Sequence, residues 1–108
     1  MRRTFVMTPA FDYSWEAMGL DDEDLTELQN TLLLDPGIGE VIPGTGGARK
    51  VRIRAKGHGK RGGGRVIYVE LVIDEEIYLL AAYAKNEQSD MTESQKRIVR
   101  ELIRKLKE

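Results

Sequence analysis

Residues 49–65 read RKVRIRAKGHGKRGGGR, and the interpretation of the whole chain turns on this stretch. It carries Arg49, Lys50, Arg52, Arg54, Lys56, Lys60, Arg61 and Arg65, with no acid to offset them. The first half alternates, with Val51, Ile53 and Ala55 apolar and Lys50, Arg52 and Arg54 between them. Successive residues of a strand point to opposite faces of a sheet. A strand over Arg49–Ala55 can therefore bury its apolar residues and present a row of cations on the other side. A glycine-rich loop containing Lys56, His58, Lys60 and Arg61 follows, and Arg65 opens the next apolar run. A cationic sheet face beside a cationic loop suits a polyphosphate, which points to a nucleic-acid surface.

Downstream, residues 65–73 (RVIYVELVI) are apolar on nearly both faces and read as a central strand. Asp74-Glu75-Glu76 serves as a hairpin turn, and residues 77–84 (IYLLAAYA) form a second buried strand. Lys85 to Asp90 is a polar exit loop. Thr92 and Gln95 then have capping-box spacing, opening a helix to Glu108 whose apolar stripe is Ile98, Val99, Leu102, Ile103 and Leu106. Upstream, residues 2–7 (RRTFVM) read as a strand. Phe11, Trp15 and Met18 recur at helical spacing over Ala10–Met18, with Gly19 past the end. Asp21 caps a helix to Leu34 with Asp22, Glu23 and Asp24 in its first turn and Leu25, Leu28, Leu32 and Leu33 on its apolar face. Asp35-Pro36-Gly37 stops that helix, and residues 36–47 form a turn-rich connection anchored by Val41 and Ile42. This order describes an α+β fold, an antiparallel sheet flanked by two N-terminal helices and a C-terminal helix.

At 108 residues the chain is expected to be a single domain, 1–108, burying roughly two-thirds of its unfolded surface. Hydrophobic residues at 41% and charged residues at 32% describe a globular chain. The absence of cysteine excludes disulfides and Cys-ligated zinc, and one histidine argues against a His-based metal site, so no metal or cofactor is expected. No apolar run approaches the ~20 residues of a membrane span, and MRRTFVMTP lacks a signal-peptide core, so no membrane partner and a cytoplasmic location are expected. The net charge of −1 hides an asymmetry: no Lys or Arg lies between Phe11 and Ala48, whereas the next seventeen residues hold eight cations.

Several motifs fail on context. Gly57, Gly59 and Gly62 match G-x-G-x-x-G, but a strand follows where a dinucleotide site needs a helix. Gly44 to Lys50 resembles a P-loop, yet Arg49 stands where glycine is required and Val51 where a Ser/Thr would hold magnesium. Ser14 and Ser89 have no histidine nearby in the chain for a hydrolase constellation. His58 titrates near neutrality and can be read as an acid/base or as an RNA-stacking loop residue. The basic row has further support in Tyr83, Lys85 and Asn86 at the exit of a buried strand, where sites are commonly mounted.

VIPGTGGARKVRI, KGHGKRGGGRVIYV and IYLLAAYAKNEQSDMT, in that order, together with GLDDEDLTELQNTLLLDPGIGEVI before them, resemble the RelE/ParE superfamily of bacterial toxins, most nearly its HigB-like branch. The resemblance implies the RelE-like α+β domain and a type II toxin that cleaves mRNA in the ribosomal A site. The chemistry implied is attack of the 2′-hydroxyl on the adjacent phosphate, without metal. The implied partners are a cognate antitoxin, the ribosome and mRNA, with operator DNA met only through the antitoxin. Carried over by motif position, Lys50 and Arg52 are the basic pair on the strand after the glycine turn, and Arg65 opens the central strand. Lys85 and Asn86 fall where basic residues follow the last strand. Asn86 departs from the arginine of RelE, and Thr92 stands near the place of the RelE tyrosine. Proton transfer then falls to Tyr83, Lys50, Lys56 or His58. Catalytic roles are thus expected for Lys50, Arg52, Lys56, Arg65, Tyr83 and Lys85, and RNA contacts for Arg49, Arg54, His58, Lys60, Arg61 and Asn86. The alternatives are a ParE-like gyrase poison of the same fold, a non-enzymatic nucleic-acid-binding module, and an interaction domain built on the acidic helix.

Overall fold

The computed structural model describes residues 3–54, 63–85 and 90–108. Among these, five strands and three helices follow in the order β1 (Thr4–Met7), α1 (Pro9–Ala17), α2 (Asp22–Leu34), β2 (Glu40–Val41), β3 (Arg49–Ile53), β4 (Gly64–Leu71), β5 (Glu76–Ala84) and α3 (Glu93–Leu106). The strands make one sheet in the order β1-β5-β4-β3-β2, the expected α+β arrangement. The pairs β2–β3, β3–β4 and β4–β5 are antiparallel. The sheet is not antiparallel throughout, however: β1 lies parallel to β5, with Thr4 opposite Glu76 and Met7 opposite Leu79. Parallel neighbours need a long crossover, and the intervening helices and meander supply it.

Each helix starts where a side chain answers its open N–H groups. Thr8 caps α1 by accepting from the Phe11 N–H (3.1 Å), while its own hydroxyl donates to the Leu80 carbonyl (2.9 Å) and ties the helix to β5. Phe11 and Trp15 then stack with ring centroids 5.2 Å apart. Asp21 and Asp24 form a reciprocal capping box on α2, and Thr92 and Gln95 form the box read in the sequence for α3. Phe11, Trp15, Leu28 and Leu32 pack with Val51, Val66, Tyr68 and Ile77 on one face of the sheet. Val99 and Ile103 of α3 cover Ile67, Val69 and Leu80 on the other.

Three sequence expectations shift. The strand expected to reach Ile73 ends at Leu71, leaving Val72 and Ile73 exposed at the hairpin tip (65% and 96%). Glu75 adopts a φ of 54° there and its N–H reaches the Val72 carbonyl, closing the turn earlier than expected. In the 36–47 connection Val41 is exposed with the rest of the two-residue strand β2, and only Ile42, just past it, is anchored. Ile98, placed in the apolar stripe of α3, is also exposed.

One irregularity decides the side on which later residues lie. Tyr68 pairs with Leu79 but Ile67 pairs with Ala81, so Leu80 is an extra residue in β5, a β-bulge. Before it, Ile77 and Leu79 face the core under α1 and α2. After it, Ala82 and Ala84 face that core while Ala81 and Tyr83 face α3. Strict alternation from Ile77 would have put Tyr83 on the opposite face.

Candidate nucleic-acid interface

With Val51 and Ile53 turned into the core beneath α1 and α2, the alternate residues Lys50 and Arg52 fall on the α3 face of β3. The register then aligns Arg52 with Arg65 on β4, and Arg65 with Tyr83 on β5. Directly opposed side chains on one sheet face have Cβ atoms about 5 Å apart. Arg52, Arg65 and Tyr83 therefore make a row across three strands, and Lys50 stands two residues from Arg52 on the same face. Arg52 is exposed and Arg65 half-buried. Among the described residues, neither guanidinium has a carboxylate within ion-pair distance, so α2 does not lock the row. The strands come close enough because position 64 is glycine. A Cβ there would lie 2.5 Å from the Tyr83 carbonyl oxygen and 2.6 Å from Met18 Cε.

Lys50 is half-buried, and its Nζ lies 3.5 Å from Asp90 Oδ1. That oxygen also accepts the Met91 N–H at 2.8 Å, which fixes the carboxylate just before α3. The Met91 N–H bond holds the Asp90 carboxyl below its ordinary value of 3.8, with Lys50 and Lys96 acting in the same direction. Asp90 drew no notice in the sequence, where it is one polar residue of an exit loop. No local pattern marks a carboxylate that meets a lysine forty positions away.

Tyr83 is half-buried, and its hydroxyl is enclosed without a hydrogen-bond partner among the described residues. Burial pushes its pKa above the ordinary 10.0; Asp90 adds to the rise and Arg65 opposes it. The phenol is therefore fully protonated at neutral pH.

Arg49 does not join the row. Alternation turns it to the Val51 side, where its guanidinium donates to the carbonyls of Gly37 (3.2 Å) and Gly39 (2.8 Å). Arg49, for which an RNA contact is expected, here clamps the loop between α2 and β2, reinforced by Tyr68. The Tyr68 hydroxyl accepts from the Gly39 N–H and donates to the Pro36 carbonyl. Arg54 is exposed just past β3, and Lys85 is exposed in the turn after β5, its N–H bonded to the Gly63 carbonyl (3.2 Å). Lys56, His58, Lys60, Arg61 and Asn86 lie outside the described residues.

Beside the row, an apolar cleft of about 640 Å³ runs between α1, the last residues of β5 and α3, lined among others by Tyr13, Ala17, Tyr83, Met91, Ile98 and Leu102. Among the described residues no group of three or more His, Cys, Asp or Glu side chains could hold a metal ion. No helix among them is long and apolar enough to cross a membrane.

Residues 20–108 match the family model described as the RelE toxin of the RelE/RelB toxin–antitoxin system. Among solved structures, a double mutant of the E. coli toxin RelE in the free state is similar at 14% identity and a TM-score of 0.57, covering 82% of this chain and 90% of that one. The intact E. coli RelBE toxin–antitoxin complex contains a chain similar at 15% identity and a TM-score of 0.57, covering 77% of this chain and 96% of that one. At such identities the structural likeness speaks for the fold.

Proposed function

This chain belongs to the RelE toxin family, and on that premise we propose that it is a type II toxin that cleaves mRNA on the ribosome. The observation that carries the reading is the Arg52–Arg65–Tyr83 row with Lys50 beside it on one sheet face. The 2′-hydroxyl oxygen attacks the adjacent phosphorus while the bond to the 5′-oxygen breaks, leaving a 2′,3′-cyclic phosphate and a 5′-hydroxyl. One proton passes from the attacking hydroxyl to a base, Lys56 or His58, and one reaches the departing oxygen. Negative charge grows on the phosphate oxygens in the transition state, and the fixed guanidinium groups of Arg52 and Arg65 stabilise it, so the reaction needs no metal in this reading. Lys50 contributes a further cation to the same phosphate. Tyr83, kept protonated by burial, acts as a donor toward the leaving oxygen and not as the base. Arg54 and Lys85, exposed at the margins, bind flanking RNA.

The partners that follow are the ribosome with its mRNA in the cytoplasm and a cognate antitoxin, as in the RelBE complex. The antitoxin covers the cationic row or displaces α3, and operator DNA is met only through it. The apolar cleft beside α3 supports an antitoxin seated at that helix. The glycine turn, basic strand and exit-loop motifs favour the HigB-like branch.

Mapping RNA ends in a translating extract tests the reading. Lys50→Met and Arg65→Ala should each slow cleavage by about a hundred- to a thousand-fold, the effect of removing one preorganised donor, and should abolish growth arrest. Undiminished cleavage and arrest in both variants rejects the site. Altered DNA supercoiling with intact mRNA would instead support a gyrase poison.

A further inference from the structure

Asp90 is the one carboxylate that meets the cationic row among the described residues, and no role has been assigned to it above. We propose that Asp90 is a positioning residue for the nuclease: it holds the Lys50 ammonium beside the Arg52–Arg65–Tyr83 row. This inference rests on the nuclease reading of the site. Three observations carry it. The contact joins β3 to the segment leading into α3, Nζ to Oδ1 at 3.5 Å. The same Oδ1 accepts the Met91 N–H at 2.8 Å, and Met91 is buried in the core under α3, so the carboxylate is anchored from behind. Asp90 also acts electrostatically on Tyr83, which lies across from Arg65, so one carboxylate influences two members of the site.

A half-exposed ion pair of this kind adds little to stability, so its placement inside a cationic site asks for another use. Lysine is a point charge on a flexible four-carbon stem and does not orient itself as a guanidinium fork does. Tethering that stem from the α3 side limits where the ammonium can lie before RNA arrives. Displacing a reacting or charge-stabilising group by about 1 Å typically costs on the order of a hundred-fold in rate.

Asp90→Asn isolates the role, because the amide oxygen can still accept the Met91 N–H while the charge that attracts Lys50 is gone. Cleavage by ribosome–mRNA complexes is measured for the wild type, Asp90→Asn, Asp90→Glu, Lys50→Met and the Asp90→Asn/Lys50→Met pair, with melting temperatures alongside. Expected is a fall of about ten- to a hundred-fold in kcat for Asp90→Asn with an unchanged or lower KM, since removing an acid favours anion binding. Asp90→Glu should recover most of the rate. The double variant should be no slower than Lys50→Met alone, since Asp90 acts through Lys50. Wild-type rates for Asp90→Asn alongside an impaired Lys50→Met overturn the positioning role and leave the nuclease reading standing. A fall in rate explained by a lowered melting temperature, or one that the double variant compounds, overturns it as well. A wild-type chain that leaves mRNA intact removes both.

Discussion

Replacing Tyr83 by phenylalanine should strengthen the fold and weaken the enzyme at once. The hydroxyl is enclosed beside Arg65 without a partner among the described residues. An unsatisfied buried polar group costs about 1–3 kcal/mol, and the lower end applies because the residue as a whole is only half-buried. Removing it leaves the ring packing in place, so a gain of about 1 kcal/mol is expected, which for a domain of this size raises the melting temperature by roughly 4–8 °C. The same hydroxyl is the proposed donor to the leaving oxygen, and loss of a general acid slows a reaction by about a hundred-fold or more. Scanning calorimetry and RNA-end mapping on one preparation read both effects. A lower melting temperature for Tyr83→Phe would show that the hydroxyl is bonded in solution; an undiminished cleavage rate would remove it from the chemistry. Such opposition between stability and function is expected where a site holds a polar group for use and not for packing.

Tyr68→Phe should act in the opposite direction, because it strands the Gly39 N–H and the Pro36 carbonyl; a loss of about 2–4 kcal/mol is expected by urea denaturation, about 1–3 kcal/mol for the buried Gly39 N–H and about 1 kcal/mol for the part-buried Pro36 carbonyl. Gly64→Ala brings a Cβ against the Tyr83 carbonyl, which is backbone and cannot swing away, so a loss of about 1–3 kcal/mol with weakened cleavage is expected. The fold should also be alkali-sensitive. Tyr68, Tyr78 and Tyr83 all have raised pKa values, chiefly through burial, so the stability they contribute is complete below the unfolded value of 10.0 and is lost as pH rises through the folded values. Urea midpoints that stay constant from neutrality to about pH 11 would contradict this. At the acid end Asp90 behaves inversely: its depressed carboxyl contributes above the ordinary 3.8 and loses that contribution as pH falls through the lower folded value, so Asp90→Asn should show a shallower acid limb in the same titration.

The parts of this fold that were legible are those that obey local periodicity. The alternation Val51, Arg52, Ile53 placed the cations on one face because side-chain direction in a strand is a local property. The Asp21 and Thr92 caps were equally readable, since each satisfies N–H groups within its own first turn. What escaped the sequence depends on distant partners. The parallel pairing of β1 rests on contacts across some seventy residues, as Thr8 to Leu80 shows. Arg49 was grouped with its basic neighbours, yet the carbonyls of Gly37 and Gly39 and its own odd-numbered place claim it for the other face. Asp90 was missed for the same reason, a contact between elements far apart in the chain.

Leu80 makes the site sensitive to strand pairing as well as to residue type. Its insertion changes the parity of β5, so the odd positions before it and the even positions after it share a core. Drawing Leu80 into regular pairing would send Tyr83 beneath α1 and turn alanines toward the phosphate with composition unaltered, whereas excising Leu80 joins Leu79 to Ala81 and leaves both faces as they are. Shortening the hairpin at Val72 and Ile73, both exposed, carries no such reversal. Relatives of this chain can therefore vary freely at the hairpin and still work, and a relative with a one-residue gap at Leu80 would present the same two faces from an unbulged strand.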